Sequence, residues 1–149
     1  MLQTPTPTPT PTDLEVPPGF EPFQSTATFL TRCGAIYFNP ARQVLGARIE
    51  AQHTTSYGNA HGGFLATLVD VAIGSALKRA SESSTPFPTI TLSVDYLSPV
   101  AEGAWIEVPV NIHRLGRQIS HATCTLVEGE RLVALGRAVF ASVKPAPAR

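Results

Sequence analysis

Charge is scarce in this chain: Asp, Glu, Lys and Arg make up 15% of its 149 residues, and eleven basic side chains cancel eleven acidic ones. Binding to nucleic acid by phosphate neutralisation needs a basic surplus, so nucleic acid is not an expected partner. Cysteine is nearly absent. Cys33 and Cys124 stand far apart with no Cys/His pattern beside them, which supports neither a disulfide framework nor a zinc site. Both are expected to be reduced core thiols. No apolar run approaches the roughly 20 residues that span a bilayer. The N-terminus has neither the basic start nor the apolar stretch of a secretory signal. The expectation is a cytoplasmic chain with no membrane partner.

What is present suits one core. A hydrophobic content of 43% over 149 residues is enough for a single domain. Proline is plentiful but concentrated: Thr and Pro alternate from Thr4 to Thr12, and the segment ends at Pro17-Pro18. Such a segment buries little and lacks backbone donors at its prolines, so residues 1–18 are expected to form an extended tail on a domain spanning 19–147.

Loose helical spacing of Phe20, Phe23, Ala27, Phe29 and Leu30 suggests a short helix or irregular lead-in. Residues 35–38 and 44–53 resemble a hairpin, with Leu45, Ala47 and Ile49 on one parity. Residues 62–83 carry the long helical pattern: Leu65, Leu68, Val69, Ala72, Ile73, Ala76 and Leu77 recur at steps of three and four. Lys78 and Arg79 suit the negative end of that helix dipole. Strand-like segments follow at 89–97, 104–113, 119–128 and 131–143. In the first, Ile90, Leu92, Val94 and Tyr96 alternate with Thr89, Thr91, Ser93 and Asp95, so Thr89 is expected on the face opposite the core. In the second, Pro109 removes a ladder donor and argues for an edge or a bulge. The order predicts an α+β fold with an antiparallel sheet packed on one helix. One side of that helix would stay uncovered, which favours a dimer.

The turn 57–63 enters this helix with Gly62 and Gly63. First-turn amides lack intrahelical partners and can donate to an anionic or polarised oxygen; equally, the glycines can serve a tight turn. Asp70 lies seven residues beyond Gly63, roughly 10 Å along the axis and on the same face. Its neighbours four residues away are Ala66 and Gly74, so it is either a carboxylate in an apolar hollow or an ordinary exposed Asp. Gly74 costs on the order of 1 kcal/mol against Ala in mid-helix, which suggests that something packs close there.

Gly58, His61-Gly62-Gly63, Leu68-Val69-Asp70, Val94-Asp95-Tyr96-Leu97-Ser98-Pro99 and Arg114-Leu115-Gly116-Arg117 together resemble the phenylacetate-pathway (PaaI-type) branch of the hotdog-fold thioesterases. The likeness covers roughly residues 30–143. It implies a hotdog fold, with the sheet wrapped around the central helix, and hydrolysis of an acyl thioester of coenzyme A or of an acyl carrier protein. The site would lie across a dimer, alone or within a tetramer, with no cofactor or metal. Asp70 would be the general base or nucleophile. The Gly62 amide would polarise the carbonyl, with Gly63 beside it and His61 positioning the helix entrance. Thr89 would assist from the partner subunit, unless it is a plain strand threonine.

Relatives commonly carry an Asn six residues before this His to orient water. Thr55 stands there instead, and Asn59 is the substitute candidate. Arg114 and Arg117 would bind the phosphates of coenzyme A, or else be solvated at a hairpin tip. Two other activities fit the same fold. One is a non-catalytic acyl-thioester binder, favoured by Thr55. The other is a dehydratase or hydratase, disfavoured because Ser75 stands where such helices carry a His.

Overall fold

Twenty residues from Gly62 to Ser81 form helix α2, and an antiparallel sheet wraps it in a computed structural model that describes residues 15–82, 84 and 86–142. Residues 1–14 of the Thr/Pro segment lie outside the described residues. Glu15 does not: its carbonyl accepts a hydrogen bond from Arg48. Ahead of α2 come β1 (Glu21–Pro22), the single-turn helix α1 (Thr28–Arg32), β2 (Ile36–Asn39) and β3 (Val44–Arg48). After it come β4 (Thr89–Tyr96), β5 (Trp105–Val108), β6 (Val110–Leu115), β7 (Ile119–Glu128) and β8 (Arg131–Ala141).

The sheet runs β1-β2-β3-β5-β7-β8-β4, with β6 also pairing β7. Pro109 cuts the expected strand 104–113 into β5 and β6, which lie in succession along β7; its carbonyl still accepts from Thr125 N–H. The expected strand 44–53 ends at Arg48, and Ala51–His53 curls into a 3-10 turn instead. There Glu50 and His53 cap one another, a local hydrogen-bonding pattern that competes with strand pairing.

The core is the apolar stripe of α2 against the sheet's inner face. Phe64, Leu65, Leu68, Val69, Ala72, Ile73 and Leu77 are buried, each side chain contributing about 1.5–3 kcal/mol of transfer free energy for the larger aliphatics. They meet Ile106, Val108, Leu126, Val133 and Phe140 from the strands. Gly74 does meet a close neighbour, as its position suggested: a Cβ there would lie 3.2 Å from the Phe140 ring. Glu82 closes the helix in the left-handed region at φ 51°. Arg79, in the last turn, lies over the Phe38 ring and donates to Gln43 in the turn between β2 and β3.

β4 ends the sheet. One edge pairs with β8 and the other meets no strand among the described residues. Its alternation is broken where Thr89 opposes Phe140 and Thr91 opposes Val139, leaving Ile90 as an extra, bulged residue. An inserted residue reverses the faces on one side of it. Leu92, Val94 and Tyr96 face α2 as expected, while Thr89 turns onto that same face rather than the opposite one. This corrects the strict alternation read from the sequence.

Candidate active site

Thr89, turned inward by the bulge, donates from Oγ1 to Asp70 Oδ1 at 2.6 Å. The bond lies within one chain, where the family resemblance had implied a hydroxyl from the partner subunit. Asp70 is half-buried in a cleft of about 390 Å³ walled by Phe29, Leu30, Ala66, Val71 and Leu92, with Gly63 and Thr67 on its floor. The hollow suggested by the small residues near Asp70 is therefore present, and α1 forms its far wall. Oδ1 is held and Oδ2 has no partner among the described residues, so one carboxylate oxygen can accept a proton from a bound molecule.

The second part of the site is the entrance to α2. His61 is the N-cap, and its Nδ1 accepts from Gly63 N–H at 2.9 Å. The His61 carbonyl accepts from Phe64 and Leu65 N–H. These bonds satisfy most of the first-turn donors and leave Gly62 N–H with no acceptor among the described residues. Of the two glycines singled out in the sequence, Gly62 offers a free amide and Gly63 does not. The Gly62 carbonyl accepts from Tyr96 Oη at 2.6 Å.

Thr55 and Asn59 bracket the loop that leads to this entrance. Thr55 N–H donates to the Asn59 carbonyl, Gly58 N–H donates to the Thr55 carbonyl, and Gly58 has φ +79°, which favours glycine. The Thr55 hydroxyl accepts from Tyr57 N–H, so it is engaged in the turn, whereas the Asn59 side chain has no partner among the described residues.

His53 was missed in the sequence. It is buried, stacks on Phe64 with ring centroids 3.7 Å apart, and its carbonyl accepts from His61 N–H at 2.7 Å. Its Nδ1 accepts from Glu50 N–H, so Nε2 donates to the Cys33 carbonyl, tying the end of α1 to the entrance of α2. A lone His at the end of an apparent strand gave no signal of this. A second cleft, of about 420 Å³, opens on the same entrance between Phe29, Arg32, Gln52, His53, His61 and Thr67. Cys33 lines it half-buried rather than lying in the core, while Cys124 is buried and burial pushes its thiol up to about 12.

Arg114 and Arg117 are not brought to Asp70. They stand exposed at the β6–β7 turn, around a concavity of about 710 Å³ shared with His113, Gln118 and His121. Register places Leu115, Ser120, Phe140 and Thr89 in one row across the sheet, so the turn is three strand spacings from Thr89, roughly 14 Å. No group of three His, Cys, Asp or Glu among the described residues is placed to hold a metal ion, and no helix among them is long and apolar enough to cross a membrane.

A single long helix wrapped by an antiparallel sheet defines a hotdog-fold protein, and the carboxylate on that helix and the unbonded amide at its start are its candidate site. The Thermus thermophilus phenylacetic acid degradation protein PaaI has the same fold, at TM-score 0.63 and 23% identity over 84% of this chain and 94% of that one. A candidate esterase of Pseudomonas aeruginosa is 35% identical over 130 residues, 85% of this chain and 97% of its own length. The mouse acyl-coenzyme A thioesterase 13 is 28% identical over 122 residues, 80% of this chain and 82% of its own. The model of the thioesterase superfamily matches residues 57–135, which include the helix entrance, Asp70 and Thr89. The chain belongs to the thioesterase superfamily and is a thioester hydrolase.

Proposed function

We propose that this protein, a single catalytic domain over residues 19–147 with a Thr/Pro tail, hydrolyses an acyl thioester of coenzyme A in a site shared by two subunits. The observation that carries the reading is the Thr89–Asp70 hydrogen bond in an apolar cleft beside a helix entrance with a free amide. Asp70 Oδ2 takes a proton from water as the water oxygen attacks the thioester carbon. Gly62 N–H receives the developing oxyanion, and collapse of the tetrahedral intermediate expels the thiolate, which leaves as free thiol after protonation. Asp70 is alternatively the nucleophile itself, forming an anhydride that water then opens.

Gly62 and Asp70 of one chain are about 12 Å apart along the helix axis at 1.5 Å per residue. A base or nucleophile and an oxyanion donor acting on one carbonyl stand closer than that, with reacting atoms about 3 Å apart. Asp70 and Thr89 of one subunit therefore work with Gly62, His61 and Asn59 of the other. Asn59 takes the water-orienting role because its side-chain amide has no partner among the described residues, while the Thr55 hydroxyl helps shape the loop by accepting from Tyr57 N–H. Arg114 and Arg117 bind the phosphates of the coenzyme, and the active form is a dimer, alone or within a tetramer.

Thiol release measured over short, medium, long and aromatic acyl-CoA substrates tests the activity. We expect turnover in the wild type and its loss in Asp70→Asn with the assembly intact. Undiminished turnover in Asp70→Asn would remove Asp70 from the chemistry. Saturable acyl-CoA binding without thiol release would instead make the protein a binder, the reading that Thr55 in place of the usual Asn favours.

A further inference from the structure

Tyr96 is the last residue of β4, seven positions from Thr89, and nothing in the reaction outlined above uses it. It is half exposed, so burial does not account for it. Its hydroxyl donates to the Gly62 carbonyl at 2.6 Å, and its ring lies so close to Gly62 that a Cβ there would sit 3.1 Å from Cζ. The N–H of the same peptide unit, on Gly63, donates to His61 Nδ1 at 2.9 Å. The result is one relay: phenol hydroxyl to carbonyl, through the peptide, to imidazole. Hydrogen bonds in such a chain polarise and strengthen one another.

We propose that Tyr96 is a positioning residue for the hydrolytic site, holding the Gly62–Gly63 peptide so that the helix entrance presents two defined donors. This rests on the thioester-hydrolase reading of that entrance. The first donor is the Gly62 amide, the one left free in the first turn. The second is His61 Nε2. With Nδ1 accepting from Gly63, a neutral His61 carries its proton on Nε2, and the ring lines the cleft formed with Arg32, Gln52 and Thr67. Two adjacent glycines give this peptide more freedom than any other pair would. Tyr96 restrains it from outside the helix, which a side chain at position 62 or 63 would do only by filling the entrance.

The test is Tyr96→Phe, which keeps the ring and removes the hydroxyl. Losing one hydrogen bond that orders the donors is expected to lower kcat about tenfold, with KM changed less than twofold and the same thermal midpoint and assembly mass. Nitrogen-15 NMR of His61 supplies a readout that general loosening does not move. The wild type should show the proton on Nε2, and Tyr96→Phe should show a mixture of tautomers. A wild-type His61 protonated on Nδ1 overturns the proposal, as does Tyr96→Phe with unchanged kcat and an unchanged tautomer. If the wild type releases no thiol from any substrate, the hydrolase reading fails while the NMR comparison still decides whether Tyr96 orders the entrance.

Discussion

Asp70 and Thr89 are 19 positions apart and meet because a single extra residue, Ile90, sits between them and the regular part of β4. Polar and apolar residues alternate strictly in this segment, and that alternation concealed the contact, since it placed Thr89 on the wrong face. Bulges leave no reliable mark in a lone sequence, because the inserted residue here is an ordinary β-branched one. Cys124 behaves more simply. It is buried, and desolvation pushes its thiol from 9.0 up to about 12. Above pH 9 the unfolded chain loses this proton and the folded one does not, so the stability tied to it is intact below pH 9 and is lost as pH climbs toward 12. Urea midpoints of the wild type and Cys124→Ala should therefore converge between pH 7 and pH 10. Equal separation at both would show that the buried thiol contributes nothing to this loss.

At the scale of elements, α2 is set by how closely it approaches β7 and β8. Gly136, in the middle of β8, marks a close approach: a Cβ there would lie 2.6 Å from both Val69 Cγ1 and Cys124 Sγ. Gly136→Ala should force the helix outward and cost about 1–3 kcal/mol, as overpacking usually does. A urea midpoint within error of the wild type would show that the helix has room to spare. The helix itself was legible throughout, from its apolar stripe to the close neighbour at Gly74. The closeness at Gly136 was not, because a glycine inside a strand looks the same whether it marks a bulge, a bend or a helix pressed against it. The segment 44–53 was read as one strand because Ile49 continues the parity of Leu45 and Ala47, and Ile49 is indeed buried. Mutual capping by Glu50 and His53 ends the strand earlier and builds the support under the helix entrance.

The whole molecule leaves its most distinctive surface open. Among the described residues β4 has a free edge, Ile90 in that strand is 56% exposed, and Asp70, Gly63 and Ala66 line a cleft on the uncovered side of α2. Unpaired edges and uncovered apolar surface together invite a second copy. If each site draws Asp70 from one subunit and the Gly62 amide from the other, two inactive variants should rescue one another. Gly62→Pro removes the amide at the first helical position, where the backbone tolerates proline, and a urea midpoint and assembly mass matching the wild type would show that the Tyr96 ring gives way to its side chain. Mixed dimers of Gly62→Pro and Asp70→Asn subunits would hold one intact site and one doubly defective site. Random mixing should restore about a quarter of wild-type turnover, since half the dimers are mixed and half their sites are whole. No recovery after verified exchange would confine each site to one chain.

Sequence alone determined the α+β class, the one long helix and the strand-rich stretch that follows it, and it singled out Gly62 and Asp70 as candidates for the chemistry. These depend on short-range periodicity and on residue types whose spacing along a helix is fixed by its geometry. Tertiary structure decided the rest: that Thr89 faces Asp70, that His61 engages the Gly63 amide while the Gly62 amide has no acceptor among the described residues, that His53 props the helix entrance, and that Arg114 and Arg117 stand three strands away. Each depends on register, a bulge or a cap, where the energy difference between alternatives comes from partners distant in the chain. No local pattern encodes those partners.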